Sequence, residues 1–289
     1  MNALRGDVAQ GVPRFEELAR RSEDGIDVAL GAALVARDVY DGLDVPALLA
    51  RLDELAAPLC GAGLERLPAW RQAEIVSERF RELGFRGNAE EYYDPRNSLL
   101  PDVLDRRLGI PITLSIVWCE IARRAGVVAR GVGFPGHFLV RVEPSRRASA
   151  SAPVIVDPFE GGRVLDDAAA AALLRRALGE GAELHPSLFA AASPRMILVR
   201  LLTNLKAIWA SRGDHGRAFV AIDRIVTLVP DSPRMLRERA GVALRLGATQ
   251  LARADLARVL ELEPQAPEFP EISVVLEVMA RAPAKSILH

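Results

Sequence analysis

Cysteine is nearly absent from this sequence: 289 residues hold two, Cys60 and Cys119. Two cysteines cannot build a disulfide framework or a four-thiolate metal site, and such sparing use fits a reducing compartment. Histidine is scarce too. The four, His137, His185, His215 and His289, show no paired-ligand spacing, so neither a metal site nor a metal cofactor is expected. No apolar run approaches the roughly 18 residues of a membrane span, and the segment Met1 to Asp7 lacks the apolar core of a secretory leader. The expectation is a soluble, cytoplasmic chain without a membrane partner. One-sided charge is missing too: 37 Lys and Arg stand against 38 Asp and Glu, which leaves no electrostatic footprint for nucleic acid. Gly131-Val132-Gly133 lacks the further glycine and following helix of a dinucleotide loop, so no nucleotide cofactor is expected either.

What is present is apolar substance in helical rhythm. Half of the residues are hydrophobic, enough for one large or two ordinary domains with a substantial core. From Val12 to Gly84 apolar residues recur at helical spacing (Phe15, Leu18, Ala19; Leu48, Leu49, Leu52, Leu55; Ile75, Phe80, Leu83), with breaks at Gly25, Gly42, Pro58 and Pro68. A small helical bundle is predicted there. Gly84 to Ser98 is turn-like, aromatic and interrupted by Pro95, and such a loop often borders a site. The strongest helix opens at Pro111 and closes at Gly126; it is apolar nearly all round, as a buried central helix would be. Two strands follow, His137 to Val142 and Val154 to Asp157, joined across a small, polar, basic loop from Ser145 to Ala152.

From Ser193 onward the pattern is helical again, with a repeat. Gly213 and Gly247, Ala218 and Ala252, Ile222 and Leu256, and Pro230 and Pro264 are matched pairs at one constant spacing of 34 positions. With Leu202 and Leu236 heading the first helices, the run resembles the tetratricopeptide repeat, in which small residues sit where paired helices cross. Two repeats are fewer than the roughly three an independent solenoid needs. They should therefore dock on the preceding domain, or use the helix around Glu271 to Arg281 as a cap.

His137 and Asp157 are the most informative polar pair, each at the end of an apolar strand. In a hairpin symmetric about Arg147 they would face one another. An Asp opposite a His fixes the tautomer and orientation that a general base needs, although the same bond also serves merely to satisfy two polar groups at a strand end. A nucleophile is the missing member.

Three longer motifs make the reading specific: Tyr92-Tyr93-Asp94-Pro95-Arg96-Asn97-Ser98, Leu104 to Ser115 with Gly109-Ile110-Pro111 at its centre, and Gly131 to Val140 with Pro135-Gly136-His137. Together they resemble the bacterial SirB-type family, a divergent branch of the transglutaminase-like superfamily that usually carries tetratricopeptide-type repeats at its carboxyl end. The likeness extends over about residues 30 to 270. It implies an α+β fold, with a helical amino-terminal region packed on a papain- or transglutaminase-like core that holds a small antiparallel sheet, then a helical repeat pair. The domains would be 1–190 and 191–289. It also implies a Cys, His, Asp arrangement in which His137 and Asp157 take the last two places and the cysteine opens the central helix. The cysteine does not match, because that position falls near Pro111 to Thr113.

Cys119 lies about eight residues further on, about 12 Å along the helix and roughly 80° round it, away from the helix amino terminus that would favour a thiolate. It reads as a small core residue. Cys60 has no activating neighbour in sequence. Thr113 and Ser115 are hydroxyl candidates, each with a structural alternative: Thr113 as a cap of the first turn, Ser115 bonded to a carbonyl. Asp94, Arg96, Asn97, Asp105 and Arg106 could line the same cleft and bind a peptide carboxylate or side chain, or form ion pairs that hold the loop on the helix. The preferred reading is a noncatalytic scaffold binding a protein or peptide, with no nucleic-acid or membrane partner and its oligomeric state open. It is not a conventional transglutaminase or cysteine protease. The competing reading is an acyltransferase or peptidase with His137 as base, Asp157 as orienter and Cys119, Thr113 or Ser115 as nucleophile.

Overall fold

The computed structural model describes residues 11–145, 152–265 and 272–276. The fold is α+β, a transglutaminase-like core followed by tetratricopeptide helices. Two compact units divide between Leu201 and Leu202, whereas the sequence reading places the boundary after residue 190.

The first unit opens with α1 (Phe15–Ala19), α2 (Val28–Arg37), α3 (Val45–Ala56) and α4 (Ala69–Glu82). Local chemistry sets their starts. The Asp27 carboxylate accepts from Leu30 N at 2.9 Å, and Asp44 accepts from Ala47 N at 2.9 Å with Pro46 in the first turn. After the minimal parallel pair β1 (Arg86–Gly87) and β2 (Leu108–Gly109), which flank α5 (Leu100–Arg106), comes the central helix α6 (Pro111–Arg124). Its apolar circumference is explained by its surroundings: α3, α4 and the main sheet all pack on it, and Leu114, Val117, Trp118 and Ile121 are fully buried. Trp118 leaves no orphan, since its Nε1 donates to Ser77 Oγ at 3.2 Å.

The main sheet is antiparallel, with strands in the order β3 (Ala129–Val132), β4 (Leu139–Val142), β5 (Val154–Asp157) and β6 (Arg163–Leu165). Side chains alternate between its faces. Val140, Val142 and Val156 are fully buried, while Val132 and Leu139 join Phe134 and Leu174 in a second cluster under α7 (Asp167–Leu178). The sequence reading foresaw two strands. It missed β3 and β6, and it placed His137 in a strand, whereas β4 begins at Leu139 and His137 lies in the bend before it.

The second unit takes up the latter part of α8 (Pro194–Ser211), then α9 (His215–Leu228), α10 (Pro233–Arg245) and α11 (Thr249–Leu262). These are the helices of the 34-residue repeat. Ala218 and Ala252, the matched small residues, are buried, and Leu236, Ala240, Leu256 and Val259 form the core with Ile272. Asp255, 3% exposed, is held by a two-pronged contact with Arg239, whose third nitrogen reaches Asp223 at 2.6 Å. Of the expected capping helix, residues 272–276 are helical; its remainder, and Arg147 with most of the basic loop, lie outside the described residues.

Candidate functional site

Asn97 organises the approach to the central helix. Its Oδ1 accepts from Asn88 Nδ2 at 3.1 Å and Arg106 Nη1 at 3.3 Å, and its Nδ2 donates to the carbonyls of Glu91 at 2.7 Å and Tyr92 at 3.3 Å. All four hydrogen-bonding positions of the amide are engaged, which fixes the loop that carries Tyr92 and Tyr93. The Asn97 backbone carbonyl accepts the Thr113 hydroxyl at 2.6 Å and Ile110 N at 3.3 Å, tying the loop to the first turn of α6.

His137 Nε2 lies 2.9 Å from Asp157 Oδ2, and the other carboxylate oxygen accepts from Phe159 N at 2.9 Å. Asp157 is 1% exposed and His137 part-buried, 14% by side chain. The pairing is not the symmetric one expected. Val140 stands opposite Val156, so the position facing Asp157 would be Leu139, and His137 reaches it from two residues further back. Among the described residues His137 Nδ1 has no hydrogen-bond partner.

Around the pair is a wall that sequence reasoning had not assembled. The Phe159 ring meets His137 edge-on at 5.9 Å and Tyr92 at 6.2 Å, and it presses on Gly87, where a Cβ would lie 2.6 Å from three ring atoms. Beneath the His137 turn, Arg200 donates to the carbonyls of His137 at 2.5 Å and Phe134 at 3.3 Å, with its guanidinium over the Phe138 ring at 5.3 Å. Burial lowers the Arg200 pKa, opposed by Tyr92, and burial, reinforced by Tyr93, raises that of Tyr92. Arg200 has a faint signal in the sequence: it is the one charge within Met196 to Leu202.

Of the three candidate nucleophiles, Ser115 and Cys119, one helical turn apart on α6, line the same cavity, and Thr113 does not. Thr113 is 2% exposed, and its hydroxyl bonds the carbonyl of Asn97, lies 3.1 Å from that of Ile110, and accepts from Ile110 N at 3.2 Å. Ser115, 1% exposed, has the Phe138 carbonyl at 3.4 Å. Cys119 is part-buried; burial and then the Glu120 carboxylate push its thiol far up, opposite to what a thiolate nucleophile requires. Cys60 is exposed, with Sγ against the carbonyls of Ala56 and Arg124.

The candidate binding residues are occupied by each other. Asp94 accepts from Arg96 N and Nε and lies 3.5 Å from Arg106 Nη2. Desolvation works against the Asp94 carboxylate, but the Arg96 bonds and the Arg106 charge outweigh it and hold its pKa below the usual range. Asp105 points elsewhere, to Arg51 at 2.6 Å.

A model of the transglutaminase-like superfamily matches residues 46–203, and a tetratricopeptide-repeat model matches residues 205–277. A UPF0162 protein of Xylella fastidiosa is 38% identical over 258 residues, covering 88% of this chain and 90% of that one. The chain belongs to the UPF0162 family of the transglutaminase-like superfamily. A second UPF0162 protein, from Pseudomonas aeruginosa, is 34% identical over 83% of this chain and 86% of its own. Human F-box only protein 21 is 28% identical over 58% of this chain, but over only 27% of its own length, so the likeness there concerns one segment of a larger protein. No solved structure matches. In this UPF0162 chain no group of three or more His, Cys, Asp or Glu side chains could hold a metal, and no helix is long and apolar enough to cross a membrane, among the described residues.

Proposed function

We propose that this UPF0162 protein is a transglutaminase-like scaffold without the usual nucleophilic cysteine, that it binds a protein or peptide, and that it acts in regulation, as its resemblance to the SirB-type family implies. One observation carries the reading. At the start of α6, where the superfamily's cysteine would stand, the residues are Pro111, Ile112 and Thr113, all buried, and the lone hydroxyl is spent on three backbone contacts. The tetratricopeptide helices support a protein partner. An acyltransferase or peptidase reading is favoured by the His137–Asp157 bond and by Nδ1, unpartnered among the described residues, the nitrogen a base would use.

The test is incorporation of a fluorescent primary amine into a glutamine-bearing protein, run beside hydrolysis of a mixed peptide pool, for the wild type and His137→Ala. Equal, background-level signal in both is expected. Turnover that needs His137 and disappears in Cys119→Ser, Thr113→Val or Ser115→Ala would sink the scaffold reading.

A further inference from the structure

On the first unit, lined by neither His137 nor Asp157, lies a cavity of about 630 Å³ between α6, β3 and the start of α8. Its size falls within the range of about 300–1,000 Å³ typical of ligand sites. Ile26, Ile116, Phe138 and Ile197 give it apolar walls, and Cys119, a poor thiolate, contributes to the same surface.

The cavity borders an open sheet edge. Glu143 N donates to Val128 O, so Val128, Arg130 and Val132 bond inward to β4, whereas Ala129 and Gly131 turn their N–H and C=O outward. The chain itself covers part of this edge: Ala192 N donates to Gly131 O at 2.8 Å, and Val132 bridges Ala191. Continued in the same register, that bridge would bring Pro194 opposite Ala129, and Pro194 has no N–H and starts α8. The self-made ladder stops there, and the backbone of Ala129 is left facing the cavity.

The charges on the lining are unevenly satisfied. Glu120 is paired with Arg123 and Arg124, and Asp27 caps α2. Arg130 and Asp24, one of each sign, line the cavity without an ion pair among the described residues.

We propose that this cavity binds a short oligopeptide with free termini, laid along the edge of β3. The peptide exchanges main-chain hydrogen bonds with Ala129, seats an apolar side chain between Ile116 and Ile197, and sets its carboxylate on Arg130 and its ammonium toward Asp24. Strand addition of this kind supplies affinity through the backbone and selectivity through the alternate side chains. Three to five residues, at about 3.3 Å each, suit the space. The proposal rests on the peptide-binding reading above and gives it a location.

The probe is a pool of Ala, Val and Leu tri- to pentapeptides with free ends, titrated into the ¹⁵N-labelled full chain. The Ala129 amide resonance is expected to shift, and Arg130→Ala to weaken binding about tenfold or more. N-methylation of the peptide's central amide, acetylation plus amidation of its ends, and Ala129→Pro should each do likewise. The Ala129 N–H faces outward, so the proline removes no ladder bond; should that variant still melt early, the wild-type Ala129 shift decides. Binding that leaves Ala129 unmoved and survives Arg130→Ala but fails in Tyr92→Ala overturns this site while keeping the peptide reading. No binding by any peptide at about 1 mM overturns both.

Discussion

Replacing Thr113 with valine tests the architecture. Valine has nearly the same shape, so the change removes a hydroxyl and little else at a position 2% exposed. The hydroxyl's 2.6 Å bond to the Asn97 carbonyl is lost, and so is the acceptor 3.2 Å from Ile110 N. Ile110 N still reaches Asn97 O at 3.3 Å, so the amide keeps a partner, while the buried carbonyl loses its one short bond and is left with that long contact. The expected cost is therefore about 2 kcal/mol, one good net hydrogen bond plus part of a desolvation penalty. Serine keeps the hydroxyl and loses one methyl, for about 1 kcal/mol. In a unit of this size 1 kcal/mol corresponds to about 2–4 °C, so valine should lower the melting temperature by about 4–8 °C and serine by about half as much. Trp118 fluorescence, in a background where Trp70 and Trp209 are phenylalanine, follows the first unit separately from the repeats, as a two-unit chain requires. A valine variant within about 0.5 kcal/mol of wild type would refute the reasoning. It would mean that the hydroxyl's backbone bonds contribute no net stability.

Other consequences follow from burial and charge. The Cys119 pKa is raised in the folded chain, so stability tied to its neutral thiol is intact below the unfolded value near 8.5 and falls by up to about 1.4 kcal/mol per pH unit above it. Chemical denaturation of wild type between pH 8 and 10 should decline more steeply than that of Cys119→Ala; parallel slopes would contradict the burial. Asp94 has the opposite sign: its depressed pKa gives stability present above the ordinary carboxylate range and lost as pH falls through the folded value. Asp94→Asn should cost on the order of 1 kcal/mol at pH 7, since Arg96 is half exposed, and should flatten the acid limb of the melting profile. Gly162→Ala should cost about 2–4 kcal/mol, because a Cβ would lie 2.5 Å from Ser77 Oγ on a residue at φ +80°. A calorimetric loss below about 1 kcal/mol would show that Ser77 and Trp118 give way freely.

The helices were legible because apolar period, glycine and proline breaks and a proline start agree, as at Pro111. The repeat pair was legible from one constant spacing. The sheet was half hidden: Ala129-Arg130-Gly131-Val132 has neither alternation nor β-branched density, and Arg163-Val164-Leu165 is three residues at an exposed edge. His137 and Asp157 do meet, but by side-chain reach rather than register, a detail that the length of a hairpin cannot reveal. Phe159 and Arg200 escaped notice for different reasons. Phe159 follows Pro158 in what reads as an ordinary turn, and Arg200 sits 63 positions from His137 inside a helical pattern. Only tertiary contact joins them to the site.

Asn97 also gives the protein a vulnerable age. It is followed by Ser98, whose small side chain does little to shield an asparagine side chain from attack by the next backbone nitrogen. In the folded chain that nitrogen donates to the Pro95 carbonyl and the amide is clamped by four bonds, so the cyclisation that leads to aspartate is held off. Each transient opening of the loop exposes the pair. Once converted, the side chain has no hydrogens to give to Glu91 and Tyr92, and it carries a charge beside Asp94. Folding thus protects the very residue on which the loop depends, and a molecule that opens often enough forfeits that protection for good.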